Sequence, residues 1–302
     1  MDDQRFRLTF TVDRDNIKLR EFLNEKMISK RTLAATKYEG GLLLVNGIER
    51  DVRYLLREGD EVKILFPPEI PSKGLVVEHG DLAIVFEDEA ILILDKPPGQ
   101  STMTSQNHQS GTIANYVAGK FSGERIPATV HIVTRLDHNT SGLVCIAKNR
   151  HIHHLFGDKI IKSGFHREYE AVVEGHIQED IFSITERIGR KDGSIIERIV
   201  REDGQEARTD VRVIQRYTKN GHDLTRIRLI LHTGRTHQIR VHMQWLGHPI
   251  AGDDLYGGSQ ILIARQALHC ALLEFTHPIT GVKQTFRGEL ADDMASMLME
   301  RL

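Results

Sequence analysis

The segment His131-Ile132-Val133-Thr134-Arg135-Leu136-Asp137-His138-Asn139-Thr140-Ser141-Gly142-Leu143 gathers polar and turn-forming residues directly before an apolar run. A loop anchored by a buried strand is a common place for reacting groups, because the strand fixes what the loop presents. Arg135 and Asp137 are two apart, so in extended backbone their side chains point the same way. Asn139 to Gly142 can fold into a tight turn that fixes the carboxylate. Two readings of Asp137 stay open on these residues alone: a cap in an Asx-turn, or a positioned carboxylate for acid–base or nucleophilic work. A second candidate is Thr236 to Leu246, which at helical spacing sets Ile239, Met243 and Leu246 on one stripe and Thr236, His237, Arg240 and Gln244 opposite. Such a helix can aim the Arg240 cation at a site, and replacing Arg240 by Met should cost the fold little.

Other chemistries find less support. His151-Ile152-His153-His154 contains no carboxylate and lacks the further Asp-His of a dinuclear pattern, so an exposed helix start is expected there rather than a metal hydrolase. No metal ligand set is expected elsewhere. Cys145 and Cys270 lie far apart in apolar stretches, as suits reduced core thiols. Gly-x-Ser-x-Gly, P-loop and dinucleotide fingerprints are missing, which disfavours serine hydrolases, NTPases and dehydrogenases.

The elements that must position these groups fall into two parts. Leu19, Phe22, Leu23 and Met27 recur at helical spacing, Ser29 can cap a second helix carrying Leu33, and Leu42 to Val45 enter an Asn46-Gly47 turn. Gly59-Asp60 leads into a strand alternating Val62, Ile64 and Phe66. The Pro-rich stretch from Pro67 to Gly74 reads as a weakly structured linker. Beyond it come short β-type runs at Leu82 to Phe86, Ile91 to Leu94, Leu143 to Ala147, Tyr169 to Val173, Val211 to Ile214 and Ile227 to Leu231. With few long helical patterns between them, they predict an α+β fold with a mixed, mainly antiparallel sheet rather than a doubly wound one. Residues 1–74 are expected as a small α/β domain with its linker, residues 75–302 as the large domain, and Arg187 to Asp203 as an exposed hairpin or loop.

A chain of 302 residues with net charge −2 is not a globally basic nucleic-acid binder, so the local distribution of charge matters. Lys18 to Lys37 holds Lys18, Arg20, Lys26, Lys30, Arg31 and Lys37 against only Glu21 and Glu25. Leu224 to Gly252 holds no Asp or Glu, but has Arg226, Arg228, Arg235, Arg240 and four histidines. Each cluster reads as a solvated face or as a phosphate-binding surface. No apolar run of membrane-spanning or signal-peptide length occurs, so a cytoplasmic protein with no membrane partner is expected.

Arg135-Leu136-Asp137-x-x-Thr140-Ser141-Gly142-Leu143 resembles the signature of the RluA family of pseudouridine synthases. Four further segments resemble that family's pattern in order: Asp95 to Gly99, Arg167 to Ala171, Thr233 to His242, and Gly247 to Gly257. The N-terminal part is similar to the alpha-L RNA-binding domain. Thr134, where many members carry His, and Ser101-Thr102-Met103, where the family is more apolar, depart from the pattern and bear on substrate more than on activity.

The resemblance implies isomerisation of uridine to pseudouridine in structured RNA, ribosomal or transfer, by a monomer without cofactor. The ribose bond to N1 of uracil breaks, the base turns, and a bond to C5 forms. By the resemblance Asp137 is the catalytic carboxylate, as nucleophile or as base on the sugar. Arg240 is the cation that keeps it ionised, and Tyr169 stacks on uracil and takes part in proton transfer. The target nucleotide must be flipped out, and Arg135 would fill the vacated space. Lys18, Arg20, Lys30, Arg31, Arg235 and His237 are the further RNA-binding candidates, while Lys96, Gly99 and Gly234 read as turn-holding residues. A non-catalytic RNA-binding module is the alternative.

Overall fold

Apolar alternation places the strands and capping residues place the helices throughout the computed structural model, which describes residues 4–72, 74–105, 108–157 and 164–298. The N-terminal part contains β1 (Arg7–Thr11), β2 (Ile17–Lys18), α1 (Leu19–Glu25), α2 (Lys30–Tyr38), β3 (Leu42–Val45), β4 (Ile48–Glu49), β5 (Leu55–Leu56) and β6 (Glu61–Leu65). Ser29 caps α2 by accepting from Thr32 N–H. Asn46 and Gly47 both have positive φ, as a two-residue hairpin turn requires. Strands β1, β6, β3 and β4 form one antiparallel sheet, in that order. It shares a core with Leu19, Phe22, Leu23 and Ile28. Met27 departs from the expected stripe: α1 ends at Glu25, and Met27 turns left-handed (φ 66°) and is exposed, leaving Ile28 to fill the core.

The larger part contains β7 (Ile84–Glu87), β8 (Ile91–Lys96), α3 (Ile113–Gly123), β9 (His131–Ile132), β10 (Ser141–Ala147), α4 (Arg150–Leu155), β11 (His166–Glu174) and β12 (Ile181–Ile184). There follow β13 (Ile188–Arg190), β14 (Arg198–Val200), β15 (Thr209–Lys219), β16 (His222–Leu231), α5 (Gln238–Trp245), β17 (Leu268–Thr276), β18 (Lys283–Arg287) and α6 (Asp292–Leu298). Its main sheet runs β12-β15-β16-β11-β17-β10-β8-β7, with β18 on β17 and β9 on β10. Among the described strands β10 and β17 form the only parallel pair, and every other pairing is antiparallel. The expected mixed, mainly antiparallel α+β architecture is what folds. All seven residues of β10 are buried, as suits its apolar run from Leu143 to Ala147. Arg187 to Asp203 contains the β13–β14 hairpin. No described helix is long and apolar enough to cross a membrane.

The Pro-rich stretch has no regular structure, yet it is anchored. Glu69 accepts hydrogen bonds from Thr129 N and Arg150 N and lies 2.6 Å from His131 Nε2. Phe66 stacks on His151 with ring centroids 4.9 Å apart. His151 is therefore not an exposed helix-start residue: it is buried, and neither ring nitrogen has a hydrogen-bond partner. Burial pushes its pKa down to about 4. Lys73 lies outside the described residues.

Candidate active site

Asp137 sits in the excursion from β9 to β10, and each neighbour in that loop has a job set by its side chain. Thr134 is buried, and its Oγ1 accepts from Cys145 N–H. Leu136 is buried between Arg135 and Asp137, which turns both flanking side chains outward, as their spacing predicts. Thr102 Oγ1 accepts from Leu136 N–H and donates to Leu136 C=O, fixing the loop at the residue before the carboxylate. Thr140 N–H donates to Asp137 C=O, closing a turn. Gly142 has φ 108°, and a Cβ there would collide with the Cys270 backbone on β17, so glycine is required for the parallel pairing.

Lys96, at the end of β8, is fully buried, and its Nζ donates to the carbonyls of Pro97, Gln100 and His138. Burial first, and then the nearby Arg265 charge, lower its pKa to about 7, partly offset by Asp137 and Asp95. It ties the turn after β8 to the residue after Asp137.

Helix α5 supplies the cation. Two buried polar residues hold it: Gln238 accepts from Thr233 Oγ1 and Arg235 N and donates to Arg208 C=O, while His242 contacts Thr209 Oγ1 and Glu186 C=O. Arg240 directs Nε and Nη2 at the two oxygens of Asp253, each at 2.7 Å, and Nη1 at Asp137 Oδ2 at 3.3 Å. Its guanidinium also lies over the Tyr256 ring, 4.9 Å from the centroid. Asp253 is fully buried and Arg240 nearly so. The expectation that Arg240→Met costs folding only modestly is thereby corrected, because the substitution would strand a buried carboxylate.

His237 caps α5 in the left-handed conformation (φ 57°), a strained position costing about 1–3 kcal/mol. Its Nδ1 lies 2.9 Å from the Tyr256 hydroxyl, which itself accepts from Arg198 N–H. The Tyr256 proton is then available to Nδ1, so the imidazole proton belongs on Nε2, 3.9 Å from Asp137 Oδ2. Burial holds the His237 pKa below its usual value, with the Asp137 charge opposing.

Asp137, His237 and Arg240 line a cleft of about 480 Å³ that also takes in Arg135, Arg167, Tyr169 and Arg235. Tyr169 is buried, and burial together with the neighbouring Cys270 thiol raises its pKa, so it stays a neutral phenol at physiological pH. Arg135 is exposed at the rim, and Arg235 donates to Glu206 C=O. Six of the ten residues expected at the site (Asp137, Tyr169, Arg240, Arg135, Arg235 and His237) thus share one cleft. Lys18, Arg20, Lys30 and Arg31 do not line it; they belong to the N-terminal part, where Arg20, Lys30 and Arg31 are exposed and Lys18 is half-buried. The acid-free stretch is not a free basic face: Arg226 pairs with Glu170, and Arg228 lies within 3.6 Å of Glu168 and Glu170 on β11. Sequence reasoning gave no role to Asp253, although it stands in the Gly247 to Gly257 motif, nor to Arg167, whose buried Nε lacks a partner.

A mainly antiparallel sheet that presents a loop carboxylate to a helix-borne arginine in an open polar cleft defines a class of RNA-modifying isomerase, and comparison with known proteins agrees. The profile of the RNA pseudouridylate synthase family matches residues 90–245. A Bacillus subtilis protein described as uncharacterized RNA pseudouridine synthase YjbO is 42% identical over 280 residues, 93% of this chain and 98% of that one. Ribosomal large subunit pseudouridine synthase D of Pseudomonas aeruginosa is 34% identical over 282 residues, 89% of this chain and 86% of that one. Among solved structures, human RNA pseudouridylate synthase domain containing 1 superposes with TM-score 0.56 at 25% identity, covering 73% of this chain and 86% of that one. The chain belongs to the RNA pseudouridine synthase family, in its RluA branch, and is an isomerase acting on uridine in RNA.

Proposed function

We propose that this enzyme isomerises uridine in large-subunit ribosomal RNA, with the Asp137 carboxylate as the reacting group. The observation that carries the proposal is the Asp137 carboxylate, open to the cleft and 3.3 Å from an Arg240 nitrogen that Asp253 has already oriented. The ribosomal assignment rests on the likeness to ribosomal large subunit pseudouridine synthase D.

In this scheme a uridine flipped out of the RNA enters the cleft with its ribose against Asp137. The carboxylate acts on the sugar, as nucleophile at C1′ or as base on the ribose, while the bond from C1′ to N1 breaks. Uracil turns, C5 bonds to C1′ as the carboxylate leaves C1′ or the ribose regains its proton, and C5 gives up its proton while N1 takes one up, so atoms and electrons balance without a cofactor. Arg240 keeps its guanidinium beside the carboxylate as water leaves the cleft. Tyr169, a neutral phenol against the base, can serve as a proton donor or as part of a relay. Arg135 at the rim occupies the space the base vacates, and Arg235 and His237 line the path of the backbone. Residues 1–74, an alpha-L-like unit, grip the RNA through Lys18, Arg20, Lys30 and Arg31 by phosphate contacts that carry no sequence information. On this reading the enzyme acts as a monomer in the cytoplasm, where its ribosomal substrate is made.

Two measurements test this. Pseudouridine mapping of total RNA from cells with and without the gene should show one or a few positions lost from large-subunit RNA; a loss confined to transfer RNA would redirect the substrate assignment. Asp137→Asn keeps the shape and removes the charge, so it should bind RNA and form no pseudouridine. Retention of about a tenth of the activity, some 1.4 kcal/mol of barrier, would sink the role given to Asp137.

A further inference from the structure

We propose that Arg265 and Asp293 are positioning residues for the Asp137 loop, so that the C-terminal helix sets the geometry of the reacting carboxylate. The proposal rests on the reading of Asp137 given above and extends it to residues more than a hundred positions away in the chain.

Arg265 is buried, and all three of its nitrogens are engaged. Nε and Nη2 take the two oxygens of Asp293, the second residue of α6, each at 2.6 Å. Nη1 donates to Asn139 C=O at 3.0 Å and to Gln266 C=O at 3.1 Å, and Nη2 also reaches Ser141 Oγ at 3.3 Å. The next residues continue the grip. Gln266 Nε2 donates to Thr140 Oγ1, and His269 Nδ1 lies 3.0 Å from Ser141 Oγ. Asn139, Thr140 and Ser141, the turn immediately after Asp137, are thus each held from residues 265–269.

The bidentate pair with Asp293 decides which way the guanidinium plane faces, because a planar fork matched to both carboxylate oxygens has one orientation. Only in that orientation does Nη1 meet Asn139 C=O. Burial works against the Asp293 charge, yet the hydrogen bonds from Arg265 hold its carboxyl below the usual range, so the clamp stays charged at neutral pH. Met294, next to Asp293, packs into the main core and fixes where Asp293 stands, while Met297 packs the far end of α6 into the same core. Arg265, Gln266, His269, Asp293, Met294 and Met297 do not line the cleft, so their effect on chemistry runs through the loop.

The test uses the full chain and total RNA, labelled with tritium at uridine C5, from cells lacking the gene, so the readout does not depend on which RNA carries the site. Single-turnover tritium release gives the rate at saturating enzyme and the enzyme concentration at half-saturation. Asp293→Asn should lower the saturating rate roughly 10- to 100-fold, as expected when a reacting group shifts by about an ångström, with half-saturation changed by less than about twofold. Arg265→Lys, which keeps the charge but cannot serve Asp293 and Asn139 together, should do the same; if Asp293→Asn does not fold, this variant carries the comparison. Met297→Ala loosens α6 without touching the clamp, and should lower the melting temperature while leaving the rate unchanged. The clamp is overturned if Asp293→Asn or Arg265→Lys keeps the rate within about threefold, or if Met297→Ala loses as much rate as they do. Asp137→Asn run alongside separates the two ideas: an active Asp137→Asn removes the premise, whereas an inert one beside a full-rate Asp293→Asn removes only the clamp.

Discussion

Asp253 occupies two of the three guanidinium nitrogens of Arg240, and the third is the one that meets Asp137, at 3.3 Å. A fully buried carboxylate thus orients a cation toward a carboxylate open to the cleft. On the proposed reading the inner pair is structural and the outer contact functional, so the two can be separated by mutation.

Arg240→Met should destabilise the protein by about 3–5 kcal/mol, because Asp253 is left charged, buried and alone. Arg240→Met combined with Asp253→Leu should regain most of that stability and none of the turnover. Urea unfolding and single-turnover rates on the two variants check this; a double variant as unstable as the single one would show that the buried pair is not the source of the loss.

Tyr169→Phe should leave RNA affinity and the melting temperature close to wild type, since the ring remains, while the rate of the chemical step falls by roughly 10²- to 10⁴-fold. The phenol is neutral across the physiological range, so the wild-type rate should show no rising limb from Tyr169 ionisation between about pH 6 and 9. An unchanged rate in the Phe variant would reduce Tyr169 to a stacking surface.

Removing residues 1–66 should leave a more stable large domain than removing residues 1–74. The longer deletion takes away Glu69, whose carboxylate accepts from Thr129 N and Arg150 N, at a cost of about 1–3 kcal/mol. Both truncations should bind RNA more weakly, with the slope of log affinity against log salt flattened by about 0.7–0.9 for each phosphate no longer neutralised by the protein. The rate at saturating RNA should persist. An unchanged salt slope would mean that Lys18, Arg20, Lys30 and Arg31 are a solvated face.

Acid should destabilise the protein partly through His151. Its pKa is about 4 when folded, against 6.5 for the free side chain, so the unfolded chain binds the extra proton between those values. Stability from this group is full above about pH 6.5 and is lost as pH falls toward about 4, by about 3 kcal/mol in total. His151→Phe keeps an aromatic ring against Phe66 and removes the titration, so its stability should fall less between about pH 7 and pH 5. His269, also lowered to about 4, leaves part of the acid sensitivity in place. Equal acid sensitivity in wild type and variant would show that His151 does not titrate this way.

Local signals carry well from sequence to structure, and through-space pairing does not. Ser29 as a cap, Asn46-Gly47 as a turn and the β10 run as a buried strand are each decided by residues a few positions apart. The same holds for Arg135 and Asp137 facing one way around Leu136. Met27 escapes such reasoning because helical spacing continues past the residue where the backbone turns left-handed. The Leu224 to Gly252 stretch looks like an open basic surface because its acids, Glu168 and Glu170, come from the adjacent strand. The partners of Asp253, Arg265 and Asp293 carry no local pattern, since a single charged residue looks the same in sequence whether it is solvated or buried against a partner.

The parallel pairing of β10 with β17 also orders events in time. Ser141 and His269, which touch across it, are 128 residues apart. A chain made at about 5–20 residues per second emerges N-terminus first, so roughly 6 to 25 seconds separate the synthesis of the Asp137 loop from that of the strand beneath it. The small N-terminal sheet, by contrast, closes within its own sequence. A nascent or prematurely terminated chain would therefore carry a finished front end and an unsupported loop, so on the proposed roles of Asp137 and the Arg265–Asp293 clamp the isomerase becomes competent only when β17 and α6 have left the ribosome.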